Sequence, residues 1–163
     1  MKRAIVLALS VILALTMAAP TVLARSDNGT APEVVEGTFI VDRRDPGGSC
    51  AFDLQLEVSG KGKEITQPDG SRIITSPGLK VTLTNRDNGE QARFSITGAF
   101  HETTDPVTRA VTTKVTGRNL LFDPGAGIVL LSGNFSFVFA ADGTLIQPFE
   151  GKGRVIDVCE LLS

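Results

Sequence analysis

Five polar residues in the second half of the chain have the side-chain types needed to contact a ligand. They are His101, Glu102, Arg118, Asn119 and Asp123. An imidazole beside a carboxylate can transfer protons, and a guanidinium can hold an anion through two parallel hydrogen bonds. The sequence contains no G-x-S-x-G motif that would supply an activated nucleophile. We therefore predict no catalytic residue and treat the five as candidate ligand contacts.

The same residues also have a structural interpretation, which the sequence leaves open. His101 comes where a strand is expected to run into a turn at Asp105-Pro106. Arg118 could form an ion pair with Asp123, and Asn119 could cap a turn. A lone histidine with no nucleophile near it in sequence does not specify a reaction.

The two cysteines, Cys50 and Cys159, are the only ones in the chain. In an exported protein such a pair is expected to form a disulfide. The bridge would close a loop of about 110 residues and contribute about 4–5 kcal/mol by constraining the unfolded chain. Because one histidine and two distant cysteines lack the spacing of a zinc site, we predict no metal and no cofactor.

Residues 1–24 have the features of a secretory signal peptide. Two basic residues precede an apolar run from Ala4 to Ala18, and a small-residue exit ends at Ala24. The run is about 15 residues long, shorter than the roughly 20 that span a bilayer. The sequence thus predicts cleavage after Ala24 and a secreted, extracellular protein without a membrane anchor. Residues 25–33 read as a flexible leader and 34–163 as a single domain.

The charge balance limits the class of partner. The whole chain has a formal net charge of -2, and the signal peptide contains basic residues but no acidic ones, so the mature domain is more acidic still. No run or stripe of basic residues is visible in the sequence, which argues against nucleic acid or an anionic membrane as partner. The absence of Trp and Tyr removes the rings on which sugars commonly stack. The sequence leaves the partner unknown, and a small apolar ligand and a cell-surface component are the two candidates.

Alternating apolar and polar residues along the mature chain predict strands and no helix. The clearest examples are Phe52–Val58, Leu79–Leu83, Phe94–Phe100, Val111–Val115, Phe135–Phe139 and Gly151–Val158. Asp-Gly and Asp-Pro turns separate most of these segments, Asn119–Gly127 is predicted to be a loop, and Gly133 to mark a bulge.

Successive hairpins favour an all-β, small antiparallel up-and-down β-barrel of about eight strands, with a two-sheet β-sandwich as the alternative. In a barrel the first and last strands are neighbours, which would bring the two cysteines together. In a simple meander, His101 and Arg118 would lie on opposite rims, about 30 Å apart for nine residues at about 3.3 Å each.

Several segments of the chain resemble those of an uncharacterised family of small secreted bacterial proteins, mostly actinobacterial. These segments are Cys50-Ala51-Phe52, Ile73–Gly78, Gly98–Glu102, Thr116–Leu121 and Val155–Cys159, and the resemblance covers about residues 35–163. It implies no known activity and no catalytic residue. In outline the predicted barrel is also similar to the dirigent and allene oxide cyclase barrels, a likeness of fold alone.

The leading functional hypothesis from sequence is a non-catalytic extracellular binding or interaction domain. The alternative is a barrel-type cyclase or isomerase-like enzyme that acts on a small apolar ligand through His101, Glu102 or Arg118.

Overall fold

The computed structural model describes residues 31–44, 50–123 and 127–163. The predicted signal peptide and most of the predicted leader lie outside these residues. The described chain is all-β, with nine strands and one short helix. The elements are β1 (Glu33–Val41), β2 (Leu54–Thr66), β3 (Arg72–Thr75), β4 (Lys80–Asn85), β5 (Gln91–Ser95), β6 (Ala99–Thr104), β7 (Val111–Asp123), β8 (Gly127–Phe139), β9 (Leu145–Asp157) and α1 (Val158–Leu161). No helix in the described ranges has the length and apolarity needed to cross a membrane.

All nine strands join one antiparallel sheet. Its order is β5-β4-β2-β3-β6-β7-β8-β9, and β1 pairs with β2 beside this path. The outer strands β5 and β9 do not pair with each other, so the described sheet is not closed into a barrel. The structure confirms the all-β antiparallel class but not the closed up-and-down barrel.

The long strand β2 divides the sheet into two sections. Its first half, Leu54–Ser59, pairs with β4, whereas Lys63–Thr66 pairs with β3. Gly60 lies between the halves at a φ of 147°, and a side chain there would overlap the backbone of Leu79. We call β1, β4, β5 and the first half of β2 the first section. The second section comprises β3, β6 to β9 and the second half of β2.

A row of three glycines crosses β7, β8 and β9. Gly117 lies opposite Gly133, and Gly133 lies opposite Gly153. All three have positive φ, and a Cβ on Gly133 would overlap the carbonyl oxygen of Lys152. The row therefore needs glycine both for backbone conformation and for close approach. The bulge expected at Gly133 is not there: the pairing is regular at this glycine and shifts instead between Ser136 and Phe139.

Two apolar clusters form the core. The first joins both sections and α1, with Leu54, Leu56, Val81, Leu83, Ile128, Leu130, Val158 and Leu162 among its buried members. The second belongs to the second section and is built on Val115, Val129, Leu131, Phe135 and Phe137. All nine phenylalanines pack in one cluster or the other, as their strand periodicity predicts.

The C-terminal segment closes the first cluster. The disulfide joins Cys50 to Cys159, as predicted, with 5.0 Å between their Cα atoms. The predicted reason was wrong, because Cys50 precedes β2 and Cys159 lies in α1, so the bridge does not join neighbouring first and last strands. The buried amide of Asn85 donates to the carbonyl oxygen of Leu162 at 2.8 Å, which fixes α1 against the end of β4.

Several strand boundaries differ from the sequence prediction. Strand β1 was not predicted. The single strand expected over Phe94–Phe100 is two strands, β5 and β6, separated at Ile96–Gly98. Strand β7 continues to Asp123, where a loop from Asn119 was expected, because Leu120 and Phe122 pack on the first cluster.

Candidate functional site

His101 and Glu102 lie on opposite faces of β6, because successive residues in a strand point to opposite sides. His101 is exposed and sits opposite Ile73 and Lys114. Glu102 is only 5% exposed and sits opposite Arg72 and Thr113, on the face that carries the second apolar cluster. The structure therefore does not bring the two side chains into one site.

The buried carboxylate of Glu102 has one cationic neighbour. Its Oε2 lies 3.4 Å from Nη1 of Arg72, whose Nε donates to Oε1 of Glu64 at 2.8 Å. Burial raises the pKa of Glu102, and the nearby Arg72 opposes that rise only in part. Thr113 and then Phe137 follow Glu102 in the same cross-strand row. The arrangement is a partly screened ion pair at the border of an apolar cluster.

The structure places Arg118, Asn119 and Asp123 along one strand, each with different surroundings. Arg118 is exposed. Asn119 is 3% exposed, donates from Nδ2 to the carbonyl oxygen of Thr116 at 3.0 Å, and occupies the space that a side chain at residue 98 would need. Asp123 is half-buried at the end of β7, opposite Gly127. Asn119 is thus a structural residue, and of the three only Arg118 is exposed.

The predicted separation of His101 and Arg118 on opposite rims is wrong. His101 pairs with Lys114 in β7, and Arg118 lies four residues further along that strand. At about 3.3 Å per residue the two positions are about 13 Å apart, rather than about 30 Å. The prediction failed because it ended the strand at Phe100, beside the turn, whereas β6 continues to Thr104 and places His101 opposite Lys114.

The outer face of the second section concentrates positive charge. Residues directly opposite each other in a sheet share a face. One such row of paired residues crosses six strands and consists of Lys63, Thr75, Ala99, Thr116, Asn134 and Lys152. The next row on this face contains Arg118, Ser132 and Arg154, and the row on the other side contains Lys114. We call the surface formed by Lys63, Lys114, Arg118, Lys152 and Arg154 the basic face.

The cations of the basic face are available for a ligand. Arg118 and Arg154 flank Ser132 and are two strand spacings apart, about 10 Å. Both arginines are exposed, as are Lys114 and Lys152, and within the described ranges none of the four forms an ion pair. The carboxylate in these rows is Glu150, opposite Ser136.

A shallow, open cleft of about 260 Å³ lies where the two sections meet beside the basic face. It is lined by Thr75, Ser76, Pro77, Thr97, Gly98, Ala99, Thr116 and Gly117. Arg118 directly follows Gly117, and its carbonyl oxygen accepts from the amide of Gly98 at 2.9 Å. The side-chain hydroxyls of the three threonines have no hydrogen-bond partner among the described residues, so they can bind a ligand.

Sequence reasoning found Arg118 but missed the other members of the basic face. Lys63, Lys152 and Arg154 lie far from Arg118 in sequence and meet it only through strand pairing. One signal was present: the dipeptide Gly-Arg occurs at 117–118 and again at 153–154. Strands β7 and β9 pair with opposite edges of β8, and their registers place the arginines of this repeat, Arg118 and Arg154, in one row.

No group of three or more potential metal ligands occurs in the described part of the chain. Comparison of the chain with protein-family models, with curated proteins and with solved structures gives no match.

Proposed function

We propose that this protein is a secreted, non-catalytic binding domain that holds an anionic partner on the basic face. The observation that carries the proposal is the row in which Arg118 and Arg154 flank Ser132 without an acidic partner. Guanidinium groups bind carboxylate, sulfate or phosphate through paired, charge-assisted hydrogen bonds. Lys152 lies two residues from Arg154 in β9 and Lys114 lies four residues from Arg118 in β7, and both extend the positive field.

The net charge of the chain makes this concentration informative. The sequence contains 18 acidic and 16 basic residues, so an even distribution would leave each face close to neutral or slightly acidic. The basic face instead presents five cations against Glu150. Such a local field attracts anions even when the whole molecule is negative.

Compartment and architecture are part of the same proposal. The apolar segment before Ala24 and the disulfide between Cys50 and Cys159 are compatible with secretion. For the arrangement of the sheet we favour the sandwich alternative, because the first apolar cluster contains residues of both sections. Hydrogen exchange tests this: the outward amides of β5 and β9 exchange rapidly in an open sandwich and slowly in a closed barrel.

The proposed binding is tested with inorganic polyphosphate and purified mature protein. We expect Arg118→Ala combined with Arg154→Ala to weaken binding by about tenfold or more, because two charge-assisted contacts are lost. The matched control combines Lys80→Ala with Arg93→Ala, which removes the same charge from the exposed face of the first section. Equal weakening by both double variants would mean that only net charge matters and would refute a specific face.

The enzyme alternative requires His101, Glu102 or Arg118 to act on a small apolar ligand. Of these three residues, Glu102 gives the enzyme alternative the most support. Its raised pKa suits a general acid, and its side chain lies at the border of the second apolar cluster, which contains phenylalanines. His101 and Arg118 belong to the opposite, hydrophilic face, so any such site would depend on Glu102 and Arg72. Turnover of a small apolar substrate that is abolished by Glu102→Gln would favour this alternative over the binding domain.

A further inference from the structure

We infer that the anionic partner is an acidic polysaccharide, whose acid groups meet the basic face while its hydroxyls enter the cleft beside it. This inference rests on the proposed function and names the chemical class of its ligand. It depends on a second observation, the unpartnered hydroxyls of the cleft, which a purely electrostatic surface does not need.

The cleft and the cations form one continuous surface. Thr75 and Thr116 belong to the same cross-strand row, separated by Ala99, and both line the cleft. Lys63 lies directly opposite Thr75, and Arg118 lies two residues beyond Thr116, about 6–7 Å along the strand. A ligand that carries both acid groups and hydroxyls can therefore satisfy cations and threonines together.

The polar groups between the cations point to the same class of ligand. Ser132, Asn134 and Ser136 follow one another at alternate positions of β8, between the cations of β7 and β9. Hydroxyl and amide groups both donate and accept hydrogen bonds, as sugar hydroxyls do. A polymer with acid groups and no hydroxyls would use the cations and leave this column unpaired.

The absence of exposed aromatic side chains on the basic face argues against single-stranded nucleic acid as the ligand. Proteins that bind single strands stack the bases on exposed aromatic rings. This chain has no Trp or Tyr, and its nine phenylalanines pack in the two apolar clusters rather than on the basic face. Recognition of a sugar must also proceed without ring stacking, through charge and hydrogen bonds, and this is what the cleft and the basic face offer.

The test compares polygalacturonate, which has a carboxylate and hydroxyls in each unit, with polyglutamate of equal charge, which has no hydroxyls. In calcium-free buffer we expect the mature protein to bind polygalacturonate about tenfold more tightly, the effect of one or two additional hydrogen bonds. Thr75→Val combined with Thr116→Val should remove this preference and leave the affinity for polyglutamate unchanged. The control combines Thr82→Val with Thr84→Val in the first section and should retain the preference.

The outcomes separate this inference from the proposed function. Equal affinity of the wild type for the two polymers, or a preference that survives loss of both cleft hydroxyls, would overturn the polysaccharide assignment and leave anion binding intact. Tighter binding to single-stranded DNA of equal charge would overturn it in favour of nucleic acid. Failure of the wild type to bind either polymer or polyphosphate would contradict the proposed function itself.

Discussion

The ion pair between Arg72 and Glu102 provides a prediction whose size follows from the structure. At 3.4 Å and an effective dielectric constant of about 20, the attraction between two unit charges is about 5 kcal/mol. The Arg72 side chain is 38% exposed, so solvent screens much of this, and we expect Arg72→Met to lower the free energy of unfolding at pH 7 by about 1–3 kcal/mol. The loss arises because Glu102 remains buried and charged without its cation.

The pH dependence gives the prediction its sign. Since burial raises the pKa of Glu102 above its ordinary value of 4.5, the native state holds this proton more tightly than the unfolded state does. The resulting stability is present below pH 4.5 and is lost as the pH rises through the native-state pKa. The effect of Arg72→Met should therefore be larger at pH 7 than at pH 4, and Glu102→Gln should be neutral or stabilising at pH 7.

Urea unfolding of the wild type, the two single variants and the double variant measures these terms as a cycle. In the Glu102→Gln background, Arg72→Met should cost only the exposed pair with Glu64, less than about 1 kcal/mol. Equal destabilisation by Arg72→Met at pH 4 and pH 7 would refute the electrostatic account, because it would mean that the arginine contributes only through packing.

Three further changes test the fold. Replacing Cys50 and Cys159 together by alanine should lower the free energy of unfolding by about 2–5 kcal/mol in urea titrations, and an unchanged midpoint would contradict the role of the bridge. Gly133→Ala should destabilise by about 1–3 kcal/mol more than Gly70→Ala, since both have positive φ but only Gly133 is in close contact with a neighbouring backbone; equal thermal shifts would refute the close approach. Asn85→Ala should cost about 1–3 kcal/mol, because the carbonyl group of Leu162 loses the shorter of its two side-chain donors and the amide of Asp87 loses its acceptor; a smaller loss in the same titration would mean that the remaining bond from Asn88 is sufficient.

Local sequence signals were sufficient for the tight turns and for the inward faces of several strands. At Asp69-Gly70, the amide of Gly70 donates to the carbonyl oxygen of Gln67 and the side chain of Asp69 accepts from the amide of Ser71. These contacts lie within five residues, so composition and spacing determine them. The same holds for the inward periodicity of Phe135 and Phe137.

Long-range pairing could not be predicted in the same way. Nothing in the sequence near Lys63 indicates that this residue shares a row with Lys152, because the register between them depends on four intervening strands. At the break between β5 and β6, the side chain of Asn119 fills the space beside Gly98, a contact between residues far apart in the sequence. Of the candidate ligand contacts, Arg118 is a member of the basic face and His101 lies beside its Lys114, but a residue type alone does not reveal which cations gather around it.

The most direct test of the anion-binding surface is an amide ¹H–¹⁵N chemical-shift titration of the mature protein with polygalacturonate. We expect the largest shifts to fall on β7, β8 and β9, around Thr116–Arg118, Ser132–Asn134 and Lys152–Arg154, and to extend to the cleft at Thr75. Shifts centred instead on the exposed face of the first section, around Lys80 and Arg93, or no shifts at saturating polymer, would contradict this expectation.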